Sequence, residues 1–152
     1  MARVGRAARV ASKQRVETID GSSADATKVI GAAETGELYF IDATNNVTIT
    51  LPARAAGAYF KFIISSVVAG GKSVIIQSDT ANVVIDGTCL PHEDNGDGTA
   101  DLTVSTSDGS ANDKITLGVG VLEGSYVEVH CDGTKWLATG QAIGGTAAFG
   151  NQ

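Results

Sequence analysis

The sequence predicts an all-β fold, an antiparallel β-sandwich or jelly-roll-like barrel with an extended N-terminal arm. Three observations predict it. Short runs alternate apolar and polar residues with period two, as in "NVTITL" at 46–51, where Val47, Ile49 and Leu51 share one face. Turn residues recur about every ten positions. Hydrophobic residues make up 43% of 152 and glycines number 19, against two prolines; Val, Ile and Thr are abundant, which favours strands.

Strands are expected at Glu37–Asp42, Asn46–Leu51, Ala58–Ser66, Ser73–Gln77, Asn82–Ile85, Asp101–Thr106, Lys114–Val119, Ser125–Cys131 and Lys135–Thr139. Between them lie "TNN", "AGGK", "DGT", "SDGSAND", "LEGS" and "CDGTK", all rich in turn formers. The clearest hairpin joins "SYVEVHC" to "TKWLAT" through Asp132-Gly133. Pro52 cannot donate to a ladder and closes its strand. Seven of the eight aromatic residues fall in expected strands; Trp136 is expected to pack in the core or at an edge rather than on the surface.

The chain divides into a basic arm and linker at 1–36, a β-sandwich domain at 37–140, and a glycine-rich tail at 141–152. The linker, "VETIDGSSADATKVIGAAETG", is polar and holds one short expected strand at Lys28–Ile30. The tail is either an extended arm whose Ile143 and Phe149 dock on a neighbouring copy, or a frayed end.

Charge is uneven. Arg3, Arg6, Arg9, Lys13 and Arg15 fall in the first fifteen residues with no acid. The other six bases face seventeen acids, a net of −11 for residues 16–152. The arm suits a short helix with Arg3, Arg6 and Arg9 along one side. Such an arm either binds an acidic partner or is a solvated tail. Five charges without an aromatic to stack on bases point away from nucleic acid and toward an acidic protein surface. No run of 18 apolar residues is present to span a membrane as a helix. The charged N-terminus lacks the apolar core of a secretory signal.

Catalytic motifs are missing from the pattern: no G-x-S-x-G, no Walker loop, no H-E-x-x-H and no dinucleotide fingerprint. Cys131 or Cys89 with His92, in the loop "LPHEDNGDGTAD", makes a conceivable nucleophile pair, but no motif supplies an orienting partner. His130 sits on a strand beside Cys131. Cys89 and Cys131 are expected as two free, partly buried thiols, with one disulfide as the alternative. Glu93, Asn95, Asp97 and Asp101 follow the opening of a calcium loop, a candidate for weak binding. The loop starts with Glu in place of Asp, and Val104 stands where the bidentate carboxylate belongs. No cofactor is expected.

Two stretches carry a resemblance. "ELYFIDATNNVTITLPARAAGAYFKFIIS" and "VEVHCDGTKWLATG" resemble the opening and closing of a β-module of tailed-bacteriophage structural proteins. Tyr39, Asp42, Ala43, Thr44, Leu51, Pro52, Ala53, Ala56, Gly57 and Phe60 match the opening; Asp132, Gly133, Trp136 and Gly140 match the close. The resemblance implies a non-enzymatic, often trimeric virion protein, most like a capsid decoration (cement) or head-fibre protein, with tail-fibre segments as a further type. It transfers no functional residue; the matching positions read as fold determinants. On that footing the expected partner is the major capsid protein, met on the outer capsid surface by a homotrimer through Arg3, Arg6, Arg9, Lys13 and Arg15.

Overall fold

In a computed structural model, which describes residues 14–94, 100–109 and 111–152, the chain is all-β with two mixed sheets that share one core. The strands are β1 (Val16–Asp20), β2 (Ala26–Val29), β3 (Leu38–Asp42), β4 (Val47–Thr50), β5 (Tyr59–Ile64) and β6 (Val74–Gln77). After them come β7 (Ile85–Asp94), β8 (Ala100–Leu102), β9 (Ser105–Thr106), β10 (Lys114–Leu117), β11 (Tyr126–Cys131), β12 (Trp136–Ile143) and β13 (Ala147–Gly150). A 3-10 turn spans Ala32–Glu34.

The first sheet runs β1-β3-β5-β11-β12-β7-β8, with β9 also on β7; the second runs β13-β10-β6-β4-β2. The first six strands alternate between the sheets and pair in parallel within each: β1 with β3, β3 with β5, β2 with β4, β4 with β6. The chain therefore winds as three stacked coils. Like residues stack: Ile19 beside Ile41 beside Ile64, Val47 beside Val74, Ile49 beside Ile76. Tyr39 and Phe62 are paired and their rings stack at 5.4 Å.

Two sheets on one core fit the expected β-sandwich, and the parallel pairing of the first six strands corrects the expectation that it is antiparallel. The turns "TNN", "AGGK", "LEGS" and "CDGTK" fall between strands as expected, whereas Asp86-Gly87-Thr88 runs inside β7; "TNN" carries the chain across to the other sheet instead of back along the same one. Antiparallel pairing begins where the coils end, with β11 on β5 and β12, β10 on β6 and β13. β7 then joins β12 in parallel.

Four further readings are corrected. Residues 16–36, read as a linker, form the first coil, because Ile19 and Ile30 bury against the core. The "tail" completes β12 and forms β13, whose Phe149 faces Ile115 and packs against the core. His92 lies on β7 rather than in a loop, opposite Ile143 and Leu102. The expected strand at 101–106 is split into β8 and β9, both in one register on β7. Pro91 explains the break: its carbonyl accepts from Thr103, but it has no N–H to donate back.

Candidate functional site

The two stretches that carry the resemblance meet in space. The Gly57 N–H donates to the Cys131 carbonyl at 2.9 Å, the Cys131 N–H donates to Ala58 at 2.8 Å, and an Arg54 guanidinium N–H donates to the Thr134 carbonyl. Each stretch holds the same turn. Asp42 Oδ1 accepts from the Thr44 N–H and hydroxyl, and Asp132 Oδ1 accepts from the Thr134 N–H and hydroxyl. These bonds hold Asp42 below the ordinary aspartate value, with Ser66 the largest contributor, and Asp132 at about 2, with Thr134 the largest. Tyr39, Ala43, Leu51, Phe60 and Trp136 are fully buried. Gly140 faces inward, where a Cβ would sit 2.7 Å from the Tyr126 carbonyl. The matched positions hold the fold together.

The densest chemistry lies in the first coil. β1 and β2 are edge strands of the two sheets, so this coil closes one end of the sandwich. In β1 and β2 the core-facing positions are Glu17 and Ile19, then Ala26 and Lys28. Lys28 stands beside Ile49 in register. Its ammonium lies 2.8 Å from Glu17 Oε2, 3.0 Å from Glu34 Oε1, and 5.6 Å from the centre of the Tyr39 ring. Glu37, almost fully buried, accepts from Arg15 at 3.1 Å and from the Tyr39 hydroxyl at 3.2 Å.

The electrostatics follow from these contacts. Burial pulls Lys28 down, but hydrogen bonds to Glu17 and Glu34 outweigh it and the ammonium is held above the ordinary lysine value. Glu34 is held below the ordinary glutamate value, first by the Gly31 N–H and then by Lys28. Burial, then Glu34 and Glu37, push the Tyr39 phenol up. Carboxylate oxygens of Glu17, Glu34 and Glu37 come within 4.8 Å of one another, a spacing that suits a cation. Lys28 is that cation. The arrangement is an ion-paired plug over the end of the core, and charged residues aimed inward on edge strands discourage further strand pairing.

Arg15 has its guanidinium on Glu37, with 72% of its side chain exposed. Arg3, Arg6, Arg9 and Lys13 lie outside the described residues, as do Asn95, Asp97 and the Glu93 side chain of the calcium motif; Asp101 sits on β8, paired with Glu93. Ile143 stays half-buried on the outer face of the first sheet, whereas Phe149 turns inward. Both cysteines are free and buried. Cys131 opposes Trp136 and Cys89 opposes Gly140 on the two flanks of β12. That separates them by two strand spacings of about 4.8 Å and about 13 Å along the strands, beyond the roughly 7 Å a disulfide spans. Burial pushes the Cys89 thiol up to about 11, so it is no nucleophile at neutral pH. His130 stacks on Tyr59 at 5.7 Å instead of meeting a cysteine.

The sequence reading missed the plug. Its signal was present: Glu17 and Lys28 share the alternation of Ile19 and Ala26, but only the coil register shows that this parity faces the core. Comparison with protein-family models, curated proteins and solved structures finds no match to the chain.

Proposed function

We propose that the protein is a non-enzymatic structural component of a tailed-bacteriophage virion: a capsid decoration (cement) protein on the outside of the head. It acts as a homotrimer whose basic arms bind the major capsid protein. The observation that carries this reading is where the arm joins the body. Residues 1–15 hold five bases and no acid, and they lead straight into β1, the edge strand of a body with net charge −11. A cationic segment thus leaves an acidic body at its end, suited to an acidic protein surface. The resemblance to virion modules supports the same reading, and one of its matched positions, Gly57, ties the opening stretch to the closing hairpin.

The physical gain is mechanical. A clip that binds only the assembled shell stabilises it by mass action. Three linked arms make each later contact intramolecular. The test is co-sedimentation with empty capsids across a salt series, comparing the wild type with Arg3→Ala/Arg6→Ala/Arg9→Ala. Exposed ion pairs contribute about 0.2–1 kcal/mol each, so three contribute about 1–3 kcal/mol per chain. The variant should bind more weakly at low salt, and the difference should shrink as the Debye length falls from about 10 Å at 0.1 M to about 3 Å at 1 M. Equal binding at every salt concentration would exclude the arm as the latch. The stacked parallel coils favour a second reading, a head-fibre or tail-fibre module for host attachment; binding to host cells in place of capsids selects it.

A further inference from the structure

We infer that the outer face of the first sheet is the surface on which copies of this chain associate. The inference rests on the homotrimer reading above and names its interface. The two outer faces differ in chemistry. Across the second sheet one row reads Thr27, Thr48, Ile75, Thr116, Ala148 in register, and the next Val29, Thr50, Gln77, Lys114, Gly150: a largely polar face, with Val29 exposed at its edge.

Across the first sheet the corresponding row reads Phe40, Ile63, Tyr126, Gln141, Leu90. The pairing of His92 with Leu102 and of Cys89 with Ser105 sets Val104 opposite Leu90, extending the row. Leu90, Val104 and Leu102 are 38%, 55% and 62% exposed. A sheet with one core face needs no such row on the other; an apolar row of this length, interrupted at Gln141 and flanked by Lys61, Glu128, Thr139 and Thr88, marks an interaction surface.

The occupant is a second copy, for two reasons. The first is charge. Two bodies of net −11 repel on most faces, but this face is close to neutral at its centre. Its central charges are Lys61 and Glu128, paired at 2.5 Å, with the Lys61 ammonium 4.7 Å from the centre of the Tyr126 ring. A face whose charges cancel internally can meet its own copy without that repulsion. The second is size. From Phe40 to Val104 the row spans five strand spacings, about 24 Å, and three rows make the face about 20 Å tall. That footprint of about 500 Å² per copy meets the roughly 1,000 Å² in total that a specific interface needs.

The experiment is light scattering on the full chain at micromolar concentration, beside circular dichroism and thermal melts. The wild type should have three times the 15.5 kDa chain mass. Leu90→Glu with Val104→Glu, both exposed positions, should fall to the chain mass with β-type dichroism and a cooperative melt retained. Thr48→Glu with Thr116→Glu, on the other sheet, should stay at the wild-type mass. If the first variant fails to fold, Leu102→Glu alone serves, and should at least halve the oligomer fraction. A monomeric wild type overturns the inference, and so does an oligomer that survives both first-sheet variants. Capsid co-sedimentation of the same variants separates the two proposals. Capsid binding by a monomeric wild type would sink the interface and spare decoration. A first-sheet-dependent oligomer that ignores capsids would do the reverse.

Discussion

At the scale of single residues, Gly140 decides whether β12 can lie between its neighbours. An added Cβ would meet the Tyr126 carbonyl at 2.7 Å, with Cys89 Sγ and Val127 each at 3.2 Å. Backbone cannot swing aside as a flexible side chain can. Gly140→Ala should therefore destabilise by about 1–3 kcal/mol, the usual cost of overpacking, and lower the melting midpoint by roughly 2–4 °C per kcal/mol in a chain of this size. An unchanged midpoint in calorimetry would show that β11 and β12 have slack. Cys89 gives a second residue-level expectation. Its thiol is buried and raised to about 11, and Cys131 is buried four residues away along β12. A thiol reagent at neutral pH should label neither in the native protein and both in denaturant. Rapid native labelling of either would contradict the packing. The sequence spacing left the disulfide open because distance along the chain does not reveal which strand lies between two cysteines.

Among the elements, the first coil is the one whose sequence and position pull in different directions. It sits at an edge of both sheets, yet it aims Glu17 and Lys28 at the core. Lys28→Ile should destabilise, because it strands Glu17 and Glu34 with no ammonium between them, at about 1–3 kcal/mol for a lost charged partner. Glu17→Val with Lys28→Ile removes both charges and leaves an apolar coil end beside the exposed Val29. That double variant should regain the share lost at Glu17, with Glu34 still lacking its ammonium, but associate with rising concentration, as an edge without its inward charges does. Sedimentation velocity reads it, and a double variant that sediments like the wild type would mean that the plug is not what keeps this end free. The pH dependence has a definite sign. Glu34 is lowered in the fold, so its contribution is complete above the ordinary glutamate value of about 4.3 and is lost as pH falls. Lys28 is raised, so its contribution is complete below the ordinary lysine value of about 10.4 and is lost as pH rises through its folded value. The plug should therefore be strongest between those limits, and Lys28→Ile should flatten the alkaline limb of a melt-versus-pH curve. Strand existence was legible where apolar residues mark period two, as in β4 and β5, but not in β1 and β13, whose stretches are too polar or too glycine-rich to show it. Partnership was not: the same "TNN" suits a hairpin or a crossing, and only the tertiary stack of Ile19, Ile41 and Ile64 selects the crossing.

For the whole molecule, the question is where the fold begins. The sequence reading set it at Glu37, because residues 16–36 are too polar to look like core strands. The coil shows why that boundary fails: an edge coil needs few apolar residues, and Ile19, Ala26 and Ile30 suffice when the layer above supplies the rest. Among the described residues the body's first anchors are at Arg15, whose carbonyl accepts from the Leu38 N–H at 2.9 Å and whose guanidinium meets Glu37. Deletion of residues 1–13 should then leave the cooperative melt of the body in place. Deletion of residues 1–15 should not be equivalent. It removes the backbone bond to Leu38 and leaves the nearly buried Glu37 with the Tyr39 hydroxyl and no cation. The cost of leaving a buried carboxylate short of a partner is about 1–3 kcal/mol, and the Arg15 side chain is 72% exposed, so the lower half of that range is expected. The point variant Arg15→Ala separates the two losses, since it keeps the backbone bond and deletes only the ion pair; it should fall between the two truncations. Thermal melts of the four proteins, full chain included, check the order. Should deletion of residues 1–13 abolish the cooperative melt, the arm would be part of the folded body, and Arg3, Arg6, Arg9 and Lys13 would belong to a structural segment before they could serve any partner. Should deletion of residues 1–15 melt with the full chain, Arg15 would be a free member of the arm, available to a capsid surface together with Arg3, Arg6, Arg9 and Lys13.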